Sequence, residues 1–279
     1  MTVIIDGKKV SSEIKMQLRE KVSALSASGK ECGLAVIIVG DNPASKVYVR
    51  NKIASCAEIG IKSYHYELPE NTDAETVKGI IRELNGNKSV YGILVQLPLP
   101  QHLNEREILA VIDPKKDVDG FSSYQMGKLV LGEKCFLSCT PQGIMELLHA
   151  YDIPVEGKRA VVVGRSNTVG KPMALMLLRE NATVTIAHSK TENLAEITKE
   201  ADILVVAVGK ARFIKKDMVK DGAVVIDVGM NRIDGRLCGD VDFDDVAEKC
   251  SYITPVPGGV GPMTVTMLMK NTVDSACNG

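Results

Sequence analysis

Apolar residues alternate between two patterns along the chain. Val10, Ile14, Leu18, Val22 and Leu25 recur every three or four positions and predict an amphipathic helix ending near Gly29. The apolar run at 34–39 predicts a strand, and 91–97 predicts a buried strand. Around them a first α/β block takes shape. A strand at 3–5 precedes the Asp6-Gly7 turn. Asn42-Pro43 supplies a cap and a first-turn proline for a helix that stops at Gly60, and a strand covers 61–68. Thr72-x-x-Glu75 has the form of a capping box for a helix to Leu84. Pro98 and Pro100 close the strand at 91–97, and a short helix spans 104–112. Residues 113–139 are less regular, and Thr140-Pro141 opens a helix to Tyr151 that bridges to a second block.

The second block is a cleaner series. Short apolar runs at 160–163, 183–187, 203–207, 224–228 and 252–254 are mostly separated by helical segments, the pattern of a parallel sheet covered by helices. Asp234-Gly235 marks a local hairpin. After the loop at 255–264 a last helix runs to about Cys277.

A length of 279 residues suits two domains, and 45% hydrophobic with 25% charged residues suits an ordinary soluble globular chain. With no Trp and four Phe, the core must be aliphatic. A net charge of −1 gives no field that would draw the chain to nucleic acid or an anionic membrane. MTVIIDGKK lacks the basic and apolar regions of a secretory leader, and no apolar run reaches the length of a membrane span. The seven cysteines form no CxxC, and Cys135 and Cys139 have no partner pair or nearby His. Reduced, buried thiols in the cytoplasm are expected, with no metal site.

The strand at 160–163 runs into GRSNTVGKP (164–172) and then a helix, which is where a Rossmann domain binds phosphate. Gly164 and Gly170 remain of the GxGxxG pattern, and Ser166 replaces the middle glycine. A Walker A reading fails because the spacer is one residue too long and Pro172 replaces the Ser/Thr that would hold magnesium. An NAD site places an acid at the end of the second strand to bind the ribose hydroxyl. Here that strand ends in His188-Ser189-Lys190, and Arg165 lies within the turn. The missing acid and the added base point to the 2′-phosphate of NADP, although Arg165 and Lys190 could simply be solvated.

In the first block Tyr48 and Lys52 stand four apart on one helix face, beside an apolar stripe of Val49, Ile53, Cys56 and Ala57. A lysine on a helix is ordinarily a solvated charge. Tyr-x-x-x-Lys is also the active pair of short-chain dehydrogenases, but there it follows the glycine turn, and here it precedes it by more than a hundred residues. That order suggests substrate chemistry on one domain and cofactor on the other. Gln96 ends a buried strand, where an open α/β sheet receives ligands, or merely caps a loop. DPKKDVDG (113–120) carries three Asp residues, which could ligate a metal, although no nearby carboxylate or His set completes a site, or could equally accept N–H groups of a ligand. PGGVGPMT (257–264) allows close backbone approach to a flat ligand, or is an ordinary connection.

Taken together, Tyr48-VRN-Lys52, GILVQLPLP (92–100), KDVDGF (116–121), CTPQG (139–143), VVVGRSNTVGKP (161–172), VIDVGMN (225–231) and YITPVPGGVGPMT (252–264) resemble the bifunctional methylenetetrahydrofolate dehydrogenase/methenyltetrahydrofolate cyclohydrolase family over nearly the whole chain. The resemblance implies an α/β fold of two domains with a cleft between them. An N-terminal catalytic domain, 1–139, is completed by the helix 262–279, and a Rossmann-type parallel-sheet NADP domain covers 140–261. It implies NADP-dependent oxidation of 5,10-methylenetetrahydrofolate, then hydrolysis to 10-formyltetrahydrofolate in the same site. By it, Lys52 resembles the catalytic lysine, Tyr48 its partner and Gln96 the amide bonded to it. Asp119 resembles the aspartate that binds the pterin, and Leu97 lies with Gln96 in the substrate segment. Gly164, Arg165, Ser166, Ser189 and Met230 fall on cofactor positions, Met230 where the family has Ile. Gly259, Gly261, Pro262 and Thr264 belong to the loop contacting folate and nicotinamide. A homodimer through the NADP domain is implied as well. A generic two-domain NADP dehydrogenase and a non-catalytic dinucleotide sensor are the other readings of the residues.

Overall fold

β2 (Gly33–Val39) is buried at every position, which is why its sequence shows no polar alternation. It is the middle strand of three in a computed structural model that describes residues 2–278. Met1 and Gly279, which the expected domain limits include, lie outside the described residues. The chain forms two compact units. One holds the residues up to Ser12 with Ser138–Thr264, and the other holds Glu13–Leu137 with the residues from Val265 on.

In the Glu13–Leu137 unit, β2 pairs in parallel with β3 (Lys62–Leu68) and β4 (Val90–Val95), in the order β3-β2-β4. The crossovers are α2 (Pro43–Ile59) and α3 (Ala74–Gly86). Val77, Ile81 and Leu84 of α3 pack on Ala35, Ile37, Ile93 and Val95. Each such aliphatic side chain contributes roughly 1.5–3 kcal/mol on burial. The cap of α3 differs from expectation. Asp73, not Thr72, is the N-cap: its carboxylate accepts from the Thr76 amide at 2.9 Å and the Thr76 hydroxyl at 2.7 Å. Thr72 instead donates its hydroxyl to the Pro69 carbonyl. At the other end, the Lys116 ammonium donates to the carbonyls of Leu84, Asn85 and Asn87, each at 2.8 Å, satisfying groups that a helix terminus leaves open. Burial there lowers the Lys116 pKa.

α4 (Glu105–Leu109) begins after Asn104, whose side chain caps it. Within the irregular stretch lies an unexpected helix, α5 (Ser123–Leu131), bounded by Ser122 and a left-handed Gly132. Tyr124, Val130 and Leu131 are exposed on it, so no apolar stripe announces it.

The other unit is built on a six-stranded, all-parallel sheet. Its strands are β1 (Val3–Ile4), β5 (Arg159–Val163), β6 (Thr183–Ala187), β7 (Ile203–Val206), β8 (Val224–Asp227) and β11 (Tyr252–Ile253), in the order β1-β11-β8-β7-β5-β6. β1 therefore lies in this sheet and not in the first block, because its amide groups pair with a strand almost 250 residues away. α6 (Cys139–Ala150), α7 (Gly170–Arg179), α8 (Leu194–Thr198) and α9 (Phe243–Ala247) also belong to this unit. β9 (Asn231–Ile233) and β10 (Arg236–Cys238) form the hairpin expected at Asp234-Gly235, both turn residues having positive φ. The final helix, α10 (Val260–Asn278), passes from this unit into the other. α1 (Gly7–Ala27) does the same near the start.

All seven cysteines are free thiols. Cys277 is exposed, contrary to the expectation of burial, and Cys135 and Cys238 are half-buried. No helix among the described residues is long and apolar enough to cross a membrane.

Candidate active site

α2 sets the first group of residues. Asn42 caps it, accepting from the Ser45 amide at 3.1 Å, and Pro43 occupies the first helical position. Val49, Cys56 and Ile59 are the buried face. Ile53 is only half-buried and Ala57 is exposed, so the stripe is narrower than expected. Lys52 stands at its margin, half-buried. Its ammonium nitrogen lies 2.9 Å from Gln96 Oε1. Gln96 follows β4 and is fixed twice more. Its amide N–H donates to the Ile37 carbonyl at 2.8 Å, and its Nε2 donates to the Leu97 carbonyl at 2.7 Å. With the side-chain NH₂ held by Leu97, the oxygen faces the lysine. Tyr48 is one turn before Lys52, and burial raises its pKa, so its hydroxyl keeps its proton at neutral pH.

Asp119 lies in the same unit, half-buried between the buried Val118 and a left-handed Gly120. Its loop is held on several sides. Ile93 of β4 donates to the Lys116 carbonyl, Asp117 accepts from the Ser122 amide, and Asn271 of α10 donates to the carbonyls of Val118 and Leu137.

In the other unit, β5 ends at Gly164 (φ +134°), whose missing Cβ leaves room for the Ala207 carbonyl. Gly170 opens α7, and a Cβ on it would strike the Gly164 carbonyl. Ser166 lies in the turn before this helix, and its Oγ accepts from the amides of Val169 at 3.1 Å and Gly170 at 3.3 Å. Val163 and Ala187 are register partners in β5 and β6, so Arg165 and Ser189, each two residues further on, leave adjacent strands at the same level. Both are exposed, as is Lys190. His188 Nδ1 accepts from the Lys190 amide at 3.2 Å, and Thr191 Oγ1 accepts from the His188 amide at 2.8 Å. These bonds turn the chain tightly and put Ser189 on the surface.

The 255–264 loop is wedged between α1 and α6. A Cβ on Gly7 would collide with the Gly259 carbonyl, the Lys8 amide donates to the Gly258 carbonyl, and Met263 packs against Gly143. Thr264 Oγ1 is 2.9 Å from Thr140 Oγ1. Gly259 is buried, Gly261 exposed and Pro262 half-buried, and a Cβ on Gly261 would meet the Met230 methyl at 3.8 Å. Met230 is itself exposed after β8.

Residues 5–119 match the model of the tetrahydrofolate dehydrogenase/cyclohydrolase catalytic domain, and residues 138–279 that of the family's NAD(P)-binding domain. The chain belongs to the tetrahydrofolate dehydrogenase/cyclohydrolase family. Among its relatives, the bifunctional protein FolD of Lachnoclostridium phytofermentans is 61% identical over 277 residues, covering 99% of this chain and 98% of that one. The crystal structure of the FolD methylenetetrahydrofolate dehydrogenase/cyclohydrolase from Campylobacter jejuni is 52% identical, with a TM-score of 0.99 over 100% of this chain and 99% of that one. The Trypanosoma brucei FolD, solved with NADP cofactor and an inhibitor, is 39% identical, with a TM-score of 0.95 over 99% of this chain and 98% of that one.

As a member of this family, the chain carries a turn that suits a dinucleotide. The Gly164 and Gly170 positions have no room for side chains, the α7 N-terminus follows directly, and no acid stands at 188–190 to repel a 2′-phosphate. Sequence reasoning missed two carboxylates beneath these loops, Asp227 and Asp240. An acid closing the apolar run VVID was the signal available for Asp227. Nothing comparable marks Asp240.

Proposed function

We propose that the chain oxidises 5,10-methylenetetrahydrofolate to 5,10-methenyltetrahydrofolate with NADP and hydrolyses that product to 10-formyltetrahydrofolate. The Lys52–Gln96 hydrogen bond of 2.9 Å carries this reading, because hydrolysis needs a placed base. When bound, NADP supplies the acceptor for the hydride of the methylene carbon. Gly164, Ser166 and the α7 N-terminus would hold its pyrophosphate, Arg165 and Ser189 its 2′-phosphate, and Met230 an apolar contact. In this reading the Ser138–Thr264 unit binds the dinucleotide and the Glu13–Leu137 unit carries the folate chemistry.

The methenyl product is a delocalised cation, so water adds to its carbon. Lys52 takes the proton from that water. The N5–carbon bond then breaks as the added hydroxyl becomes the formyl carbonyl on N10, and the proton that this hydroxyl loses passes to N5, which returns to an amine. One N–H of Lys52 is engaged by Gln96 Oε1, which orients the remaining positions of the nitrogen. Tyr48, which retains its proton, can donate to the same centre. Asp119 accepts from the pterin N–H groups and fixes the ring, with Leu97 beside it.

The test is a coupled assay that follows NADPH and methenyl absorbance together. NADPH formation with transient methenyl product is expected, as is turnover of added methenyltetrahydrofolate without nucleotide. Failure of the second would remove the hydrolase assignment. We also infer a homodimer through the NADP domain. β6 ends the sheet, and Leu178 and Ile186 are exposed beside it. A monomer by light scattering would overturn this. The free thiols fit a cytoplasmic location.

A further inference from the structure

The order β6-β5-β7 places a topological switch between β5 and β7, and the crevice above such a switch is where open α/β sheets receive ligands. One wall of that crevice is the Gly164 turn. The other is the backbone following β7, residues 207–210. We infer that Asp240 is a positioning residue for the dinucleotide, because its buried carboxylate shapes this second wall and anchors the Met230 segment after β8. The inference rests on the NADP reading above.

Asp240 is 0% exposed. A carboxylate so placed must be answered by donors, and it is answered by four. Oδ2 accepts from the amides of Val208 at 2.7 Å and Gly209 at 2.9 Å. Oδ1 accepts from the Lys210 amide at 2.8 Å and from Asn231 Nδ2 at 2.8 Å. Three successive N–H groups turned toward one anion form a backbone nest. Here the protein's own carboxylate fills it, so the curvature of 208–210 is set before any ligand arrives. An asparagine could offer only one acceptor atom and would press its NH₂ against the same donors.

Asp227 holds the segment that carries Asp240. Its Oδ1 accepts from the amides of Gly229 and Asp240, and its Oδ2 from Val241, all at 2.9 Å. The fit is reciprocal. A Cβ on Gly229 would strike the Asp240 carboxyl group, and a Cβ on Gly239 would strike that of Asp227. Met230 thus projects from between two tethered neighbours, Gly229 on Asp227 and Asn231 on Asp240. Neither carboxylate reaches solvent, so the effect on the cofactor passes through the backbone.

The experiment uses the full chain, with NADPH binding followed by fluorescence titration. Hydrolysis of methenyltetrahydrofolate is measured separately, without nucleotide. Asp240→Asn should weaken NADPH binding about tenfold or more while hydrolysis stays within about twofold of the parent, as expected for a wall displaced by a fraction of an ångström. If that variant does not fold, Asn231→Ala removes one donor and leaves the nest, and NADPH binding should weaken about threefold with hydrolysis unchanged. Parental NADPH affinity in the folded variant, or equal loss of binding and hydrolysis, overturns the inference. A parent chain that hydrolyses but binds no NADPH would instead sink the cofactor reading.

Discussion

The two units hold their chemistry differently. In the Glu13–Leu137 unit the Lys52–Gln96 pair is made by side chains on an ordinary helix and just past an ordinary strand. In the Ser138–Thr264 unit the corresponding surface is backbone. Gly164, Gly170, Gly229 and Gly239 have no room for a Cβ, and Asp227 and Asp240 tie down the amides between them. The first arrangement can lose its functional atom and keep its fold. In the second, shape and function are the same thing, and damage to one is damage to both.

Lys52→Met should show the first case most sharply. Hydrolysis of methenyltetrahydrofolate is expected to fall about 10³-fold, within the usual range for a lost general base, with melting temperature nearly unchanged. Hydrolysis at the parent rate would reject the amine as base. Gly164→Ala should show the second. With φ at +134° and the Ala207 carbonyl in the way, it should lose NADPH binding and cost about 3 kcal/mol or more in urea unfolding. A stable variant that binds NADPH would erase the contrast.

Asp227 adds a pH dependence to the backbone-built unit. Burial lifts its pKa from an ordinary 3.8 to about 6, against three backbone amides that favour the ionised form. The folded chain therefore holds this proton more tightly than the unfolded one. The stability so gained is complete below 3.8 and is lost as pH rises through 6. That difference corresponds to about 3 kcal/mol. Asp227→Asn lacks this dependence, so its urea midpoint should gain on the parent's between pH 4 and pH 7. A constant difference would show that Asp227 titrates normally.

Two smaller effects complete the contrast. Arg165→Ala should raise KM for NADP about tenfold and leave KM for NAD nearly unchanged, as for loss of a charge-assisted phosphate contact. Equal changes with both would remove the phosphate role. Asp73→Ala, which takes the cap from α3, should cost about 1 kcal/mol without changing the kinetics of either reaction.

Buried strands were the most legible feature of the sequence, since a run such as Gly33–Val39 allows no other placement. Tyr48 and Lys52 could be paired from helical spacing alone. The Gln96 contact could not be read from the residues, because it depends on how β4 ends beside α2. β1 reads from the sequence as the start of the first block, yet it pairs in the other sheet. A two-residue strand has no periodicity, and its partner is near the other end of the chain. α5 was missed because Tyr124, Val130 and Leu131 face outward. The Thr72 cap failed by one residue because the Asp73 carboxylate takes both the amide and the hydroxyl of Thr76.

The placement of β1 also bears on synthesis. The ribosome makes this strand almost 250 residues before its partner β11, while the Glu13–Leu137 unit is completed by α10, which follows β11. Neither unit can finish folding as an independent, early product. The β8 edge at Val224 and Val225 stays unpaired until β11 has been made, and that is the interval in which chaperone binding or misassembly would act on this chain.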